Sequence, residues 1–302
     1  MKKAVFLLIS VATLINIFTI SSCKSSQSSA SKMLKFNLQN GQAYDYDMLT
    51  DFDQEIMGQE IKMSMNMGYS LNVNPDSGNI RTINTEINRI KMDMQMMAMK
   101  FSIDTDKPAS EADTTTMQGK LSFVFSKLGN VMKGKKFEMK VDKEGKIIEI
   151  TGFDQIFSSL ADSTNMDSEE RAKALRSLRE QMSGQETKDQ FTELFSIFPQ
   201  KEVRVGDTWE KEYETSGKIP GKNHTIYKVK DIDGDMVTVS AKTDIESSEE
   251  SLKINGTKNG TLIVDSRNGL VVNADYIYEI TFTASGFSFI MKGKQKIKGT
   301  AR

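Results

Sequence analysis

The chain has 302 residues, of which 38% are hydrophobic and 27% charged, a globular mix without a disordered or collagen-like signature. Its 40 basic and 41 acidic residues leave a net charge of −1, so there is no basic field to bind nucleic acid. One Cys and one His exclude a Cys/His zinc site and a disulfide framework within the chain. A Ser-His-Asp or Cys-His unit would have to use His224, and no nucleophile motif lies near it.

The N-terminus speaks to location. Lys2 and Lys3 precede a charge-free, apolar run from Ala4 to Ile20, and Ile20-Ser21-Ser22-Cys23 follows. Positive start, apolar core and small-residue cleavage site form the secretory-signal layout. The last four residues also resemble a bacterial lipobox, which implies cleavage before Cys23 and lipidation of its thiol. A transmembrane anchor is the competing reading, but a span needs about 20 apolar residues and this run is shorter. Residues 1–22 are therefore expected to be a signal peptide and 23–32 a Ser-rich tether. Residues 33–302 are expected to form a single β-rich domain with a helical segment at about 153–198. Cleavage removes two lysines and no acid, leaving a charge of −3. Acyl chains on Cys23 would hold the protein to a membrane at about 0.8 kcal/mol per buried CH₂. Lys24, in place of the Asp that retains some lipoproteins in the inner membrane, favours the outer membrane of a bacterial cell envelope.

From Leu34 to Phe101 the hydrophobic period is two, the spacing of a strand with one apolar face. Tyr44, Tyr46, Met48 and Phe52 alternate with Asp45, Asp47, Asp51 and Asp53; Ile61, Met63, Met65, Met67, Tyr69, Leu71 and Val73 form a longer series. Turns are expected at Asn40-Gly41 and at 75–79. The run from Ile80 to Ile103 changes phase between Ile87 and Ile90, and again at Met96-Met97. A bulge at each place would swap the faces in this way; a helix over Ile83, Ile87 and Ile90 is the alternative. Asp104–Thr116 reads as a loop and Gln118–Leu128 as a short helix ending near Gly129. Phe137–Ile150 reads as a hairpin turning at Asp142-Lys143-Glu144-Gly145.

Between Phe153 and Phe198 the period becomes about 3.6. Phe153, Ile156, Phe157 and Leu160 share one helical face. Asp167 with Glu170 resembles a capping box, Gly184 a helix stop, and Thr187 with Gln190 a second start before Phe191, Leu194, Phe195 and Phe198. Strands resume from Val203, with hairpin turns expected at Asp233-Gly234, Ser266–Gly269 and Ser285-Gly286. Trp209, after the Gly206-Asp207 turn, is expected in the core.

The unusual feature is methionine, 19 in all. Met63, Met65 and Met67 line one strand face and Met92, Met94 and Met96 another, with Met97 and Met99 beyond the break. Thioethers suit Cu(I), but copper sites usually add His or Cys, and these runs hold neither. An apolar sheet face filled with adaptable side chains is the preferred reading, and such a face also suits a tolerant binder of acyl chains. The aspartates of 45–53 lack the pattern of a calcium loop and read as a solvated face. Lys292, Lys294, Lys296 and Lys298 read as an aggregation-resistant sheet edge, with contact to anionic headgroups as the minor alternative.

Three segments, Ile87–Met94 (INRIKMDM), Val203–Trp209 (VRVGDTW) and the Gly260–Val272 hairpin, together resemble a family of uncharacterised lipoproteins of Bacteroidota-type envelopes. The resemblance implies no transferable activity, and Ile103-Asp104-Thr105 departs from the Asp-Ser pair seen in such families. The expected fold is α+β: long antiparallel strands in a curved sheet or half-barrel, with a helical insertion covering one side. The expected function is a non-enzymatic envelope lipoprotein without cofactor, metal or catalytic residues. Its ligand-face candidates are Met63, Met65, Met67, Tyr69, Met92, Met94 and Met96, and the expected partners are the membrane, through lipid on Cys23, and an apolar ligand or envelope protein. The alternative is a structural or assembly subunit with no small-molecule ligand; an enzyme ranks third for want of a catalytic constellation.

Overall fold

The computed structural model describes residues 31–302 apart from 57, 76–77, 97–98, 108–114, 163–168, 170–183, 216–220, 250–251 and 285. The expected signal peptide, Cys23, most of the expected tether and the Asp167/Glu170 pair lie outside the described residues.

Sustained alternation gives long strands. The first half holds β1 (Lys32–Leu34), β2 (Ala43–Ile56), β3 (Gln59–Val73), β4 (Ile80–Met96), β5 (Met99–Asp104), β6 (Lys136–Asp142) and β7 (Ile147–Thr151). The second holds β8 (Lys201–Val203), β9 (Thr208–Thr215), β10 (Gly221–Asp233), β11 (Met236–Glu249), β12 (Leu252–Asp265), β13 (Leu270–Ala284) and β14 (Phe287–Ala301). The described helices are α1 (Met117–Met132), α2 (Phe153–Asp162) and α3 (Gly184–Phe195). The protein is thus mostly antiparallel sheet with few helices, and the sheet is not closed. Its order is β7-β6-β4-β3-β2-β14-β13-β12-β11-β10-β9, with β5 also on β4 and a separate β1–β8 pair.

The last strand pairs with the first long one, β14 with β2, and this seam joins the two β-rich halves. It overturns the reading of the lysine row as an edge, because β14 lies inside the sheet. Lys292, Lys294 and Lys298 stand opposite Asp53, Asp51 and Asp47 on β2, and Lys292 also reaches Glu279 on β13 at 3.2 Å. Opposite charges in cross-strand register favour this pairing, so the acidic and basic rows of the outer face align the seam.

The two phase changes in the third run have different causes. Between Ile87 and Arg89 the β3–β4 register shifts, leaving Asn88 as the extra residue of a bulge. Gly68 on β3 makes room for it: a Cβ there would collide with the Asn88 amide, which donates to Ser70 Oγ at 3.0 Å. The second change is not a bulge. Met96 pairs with Met99, so the chain reverses into the β4–β5 hairpin, and a hairpin resets the phase as an extra residue does. One helix boundary also differs from expectation. Gly129 lies inside α1, beside Ile103 and Thr105 where a Cβ would crowd, so its place is set by packing rather than by its stop propensity. Gly184 is the first residue of α3, and the helix it was expected to end lies outside the described residues.

The sheet curls so that both edges meet the segment after α3. Ser196 Oγ donates to the Gly145 carbonyl in the β6–β7 turn at 2.9 Å, while Trp209 Nε1 of β9 donates to the Ile197 carbonyl at 2.7 Å. Gly145 has φ +88° and sits so close that a Cβ would run into the Phe195 carbonyl. Phe191, Leu194 and Phe195 of α3, with Ile197, Phe198 and the Leu34, Phe36 and Leu38 segment, fill the concavity against Tyr46, Tyr69, Ile87, Phe137 and Val264. Phe36 packs on Phe195 with ring centroids 5.2 Å apart. Ile156 and Phe157 of α2 form a satellite cluster with Val131 and Met132 of α1.

Candidate functional site

The register gathers the methionines. Met63 stands opposite Met94, Met65 opposite Met92, Met67 opposite Ile90, and Ile61 opposite Met96. Phe52 of β2 flanks Met63, while Phe101 and Ile103 of β5 flank Met94 and Met92. The six candidate methionines therefore share the inner face of β3 and β4, and all are half-buried. Tyr69 occupies the same face but a different place. It is 3% exposed in the closed core, edge-on to Phe191 and Phe137, and its hydroxyl reaches Met67 Sδ at 3.3 Å. Met97 lies outside the described residues.

On the other half of the inner face, strand alternation brings in a charge. Lys258 occupies the inward phase of β12 between Ile254 and Leu262 and keeps only 10% of its side chain exposed. Its ammonium donates to Glu193 Oε2 on α3 at 2.7 Å and to Gln295 Oε1 at 2.9 Å, and it lies 4.3 Å from the Tyr276 ring centroid. Tyr213 OH on β9 donates to the other Glu193 oxygen. Burial alone would raise the Glu193 pKa, but the nearby ammonium and the hydrogen bonds from Lys258 and Tyr213 outweigh it and hold it below 4.5. Burial, with the Glu193 charge behind it, pushes the Tyr213 phenol well above 10. This network ties α3 to the sheet. Alternation analysis missed it, although a lysine on the apolar phase of a strand was the available signal.

The remaining candidates are structural in their contacts. Trp209 is 9% exposed and stacks on Tyr227 at 5.3 Å. In the turn before it, Asp207 accepts the Arg204 amide at 2.9 Å. In the β12–β13 turn, Asp265 accepts the Arg267 amide and guanidinium, and Asn268 accepts the Leu270 amide. Two of the family-resembling segments are thus built around turn chemistry. His224 lies exposed on β10 with Nε2 3.0 Å from Glu210. Among the described residues no three His, Cys, Asp or Glu side chains converge as a metal site, and no helix is long and apolar enough to cross a membrane.

Comparison with known proteins places the chain in one group. It belongs to a family of unknown function, DUF6263, matched over residues 78–271. No curated protein matches it. Among solved structures it is similar to lipovitellin, in a structure describing lipid–protein interactions, with 12% identity and a TM-score of 0.47 over 88% of this chain and 26% of that one. It therefore spans about a quarter of the lipovitellin chain. The β-domain of the Bordetella autotransporter BrkA follows at 7% identity and a TM-score of 0.29, over 85% of this chain and 99% of that one. The translocator domain of NalP from Neisseria meningitidis gives 7% and 0.22, over 88% and 90% of the two chains. At these scores none of the three likenesses bears on function.

Proposed function

We propose that this DUF6263 member is a non-enzymatic cell-envelope lipoprotein that holds an apolar, acyl-type ligand on the inner face of its curved sheet. The observation that carries the reading is the half-buried apolar field of Met63, Met65, Met67, Met92, Met94 and Met96 with Phe52, backed by the buried Phe101. Methionine suits this task because its flexible, polarizable side chain repacks around varied shapes. α3 and the segment after it serve as the cover over the closed end of that face, and lipid on Cys23 anchors the protein, with the outer membrane favoured.

The anchor and the ligand face lie at opposite ends. Lys32, where the tether meets the fold, pairs with Asp235 in the β10–β11 turn at 2.8 Å. The methionine field opens toward the β4–β5 hairpin, at the other end of strands such as the 15-residue β3, roughly 50 Å long. The stretch from Cys23 to Lys32 reaches at most about 32 Å, so an upright domain presents its ligand face away from the anchoring bilayer.

The test uses protein beginning at residue 24, purified from cells and examined by native mass spectrometry. Co-purifying lipid that is lost in Met63→Lys and Met94→Lys variants with unchanged melting temperature supports the reading. Consistently ligand-free protein overturns it in favour of a structural or assembly subunit. Separately, Cys23→Ser in the full chain should release the protein from membranes after a high-salt wash, because only a thiol takes the thioether-linked glyceride; wholly membrane-bound Cys23→Ser protein refutes the anchor.

A further inference from the structure

The sheet leaves a gap between its two edges, and that gap has the form of a peptide groove. β9 ends the sheet and pairs only with β10 among the described residues. A cavity of about 1050 Å³ lies along it, bounded by α3 and by Glu144 and Lys146 of the β6–β7 turn. α3 turns two faces to its surroundings. Phe191, Leu194 and Phe195 enter the core, while Gln185, Lys188, Asp189 and Thr192, three or four residues apart, line the cavity. A strand that ends its sheet, beside a helix that lines the same cavity, can accept an added strand, with main-chain hydrogen bonds for affinity and side-chain contacts for selectivity.

We infer that this groove binds an extended segment of a partner protein as an added antiparallel or parallel strand on β9, and that the segment carries Lys or Arg at alternate positions. The volume fits it. One strand residue occupies roughly 160 Å³, from a rise of about 3.4 Å, a strand spacing of about 4.8 Å and a layer of about 10 Å, so the cavity takes roughly six residues. The charge selects it. Glu210, Glu212 and Glu214 alternate along the outer face of β9, and with Asp244 and Glu246 on β11 they outnumber the bases of that face, Lys222, His224 and Lys228 on β10 and Lys242 on β11. A strand added beside β9 would set its own outward side chains next to these glutamates, where opposite charge is favourable and like charge is not. Charged and polar residues dominate the groove lining, so the inward side chains of the partner should be small and polar rather than large and apolar. The site is separate from the methionine field and does not depend on it.

The probe is a fluorescein-labelled peptide, acetyl-Lys-Thr-Lys-Val-Lys-Thr-Lys-amide, read by fluorescence anisotropy in 0.1 M salt on the chain from residue 24. Three comparisons decide the matter: the same peptide with Glu for every Lys, the same peptide with Pro for both Thr, and the Glu212→Lys/Glu214→Lys protein. Saturable binding of the basic peptide, weakened about tenfold or more in each comparison, supports the inference. No binding overturns it. Binding that survives the prolines overturns it too, because general attraction between charges needs no main-chain hydrogen bonds. So does binding that ignores the charge-reversed protein. Both substituted glutamates are surface residues of an edge strand, and a thermal melt checks that the fold is kept.

Discussion

One sheet face behaves differently at its two ends. Toward the β10–β11 turn, a row across the strands runs Val239, Leu262, Ala274, Ile297 and Met48, each no more than 7% exposed. Two rows further along β2, toward the β4–β5 hairpin, Phe52 lies beside Met63 of β3 and Met94 of β4, all three half-buried. The sheet face, the period and the apolar character are shared; the cover differs. The first end is packed by Phe36, Phe195 and Phe198. Alternation fixes which face a side chain takes, whereas its depth depends on elements distant in sequence.

The largest effect should come from breaking the closed end. Phe195 is 1% exposed and packs on Phe36 and Phe191. Phe195→Ala should cost about 3–5 kcal/mol by loss of burial and the cavity it leaves. Met94→Ala, at the open end, should cost only about 1 kcal/mol, because a half-buried side chain gives up less apolar area. Urea denaturation of the two variants measures the contrast; equal costs would mean that the two ends are covered alike.

At the boundary between the ends stands the Glu193–Lys258 pair. Glu193→Ala leaves the Lys258 ammonium without its carboxylate and should cost about 2–3 kcal/mol, below a fully buried pair because 30% of the Glu193 side chain is exposed. Adding Lys258→Met should recover much of that loss. The same pair predicts an acid response. The folded pKa of Glu193 lies below its ordinary 4.5, so its contribution is full above that value and is lost as pH falls through the folded pKa. Wild type should therefore lose more stability than the Glu193→Gln/Lys258→Met protein between about pH 4.5 and pH 2. Parallel acid titrations of the two proteins would remove the pair from the account.

Local chemistry was legible in the sequence and long-range pairing was not. The strand phases, the turns at Gly145, Gly234, Gly269 and Gly286, all with positive φ, and the bulge near Asn88 follow from a few adjacent residues. The β4–β5 hairpin at Met96 produces the same phase change as a bulge, so alternation cannot separate them. The pairing of β14 with β2 brings Lys294 opposite Asp51, more than two hundred positions away, and no local pattern fixes that choice. For the site, the methionine register was visible because each strand carries its own alternation. Tyr69 was grouped with it because alternation has no term for the aromatic cover of Phe137 and Phe191. Lys258 was overlooked because its partner Glu193 comes from α3, where a single glutamate on an amphipathic helix looks like solvent-facing charge.

The smallest effect sharpens the open end most. If Met65 and Met94 serve as adaptable apolar surface, Met65→Leu/Met94→Leu should shift stability by less than about 1.5 kcal/mol, since the swap nearly conserves volume. If instead the methionines were Cu(I) ligands, the same change would remove two soft donors that Leu cannot replace. The two cases separate in a Cu(I) competition titration run beside thermal melts. Leu also has less freedom than Met to follow a ligand's shape. Acyl-ligand binding should therefore weaken modestly and most for the bulkiest chains, while the melting temperature stays near that of the wild type and neither protein takes copper tightly. Stoichiometric Cu(I) binding by wild type that disappears in the double variant would turn the open end from an apolar surface into a metal site, and the contrast with the closed end would then be one of chemistry rather than cover.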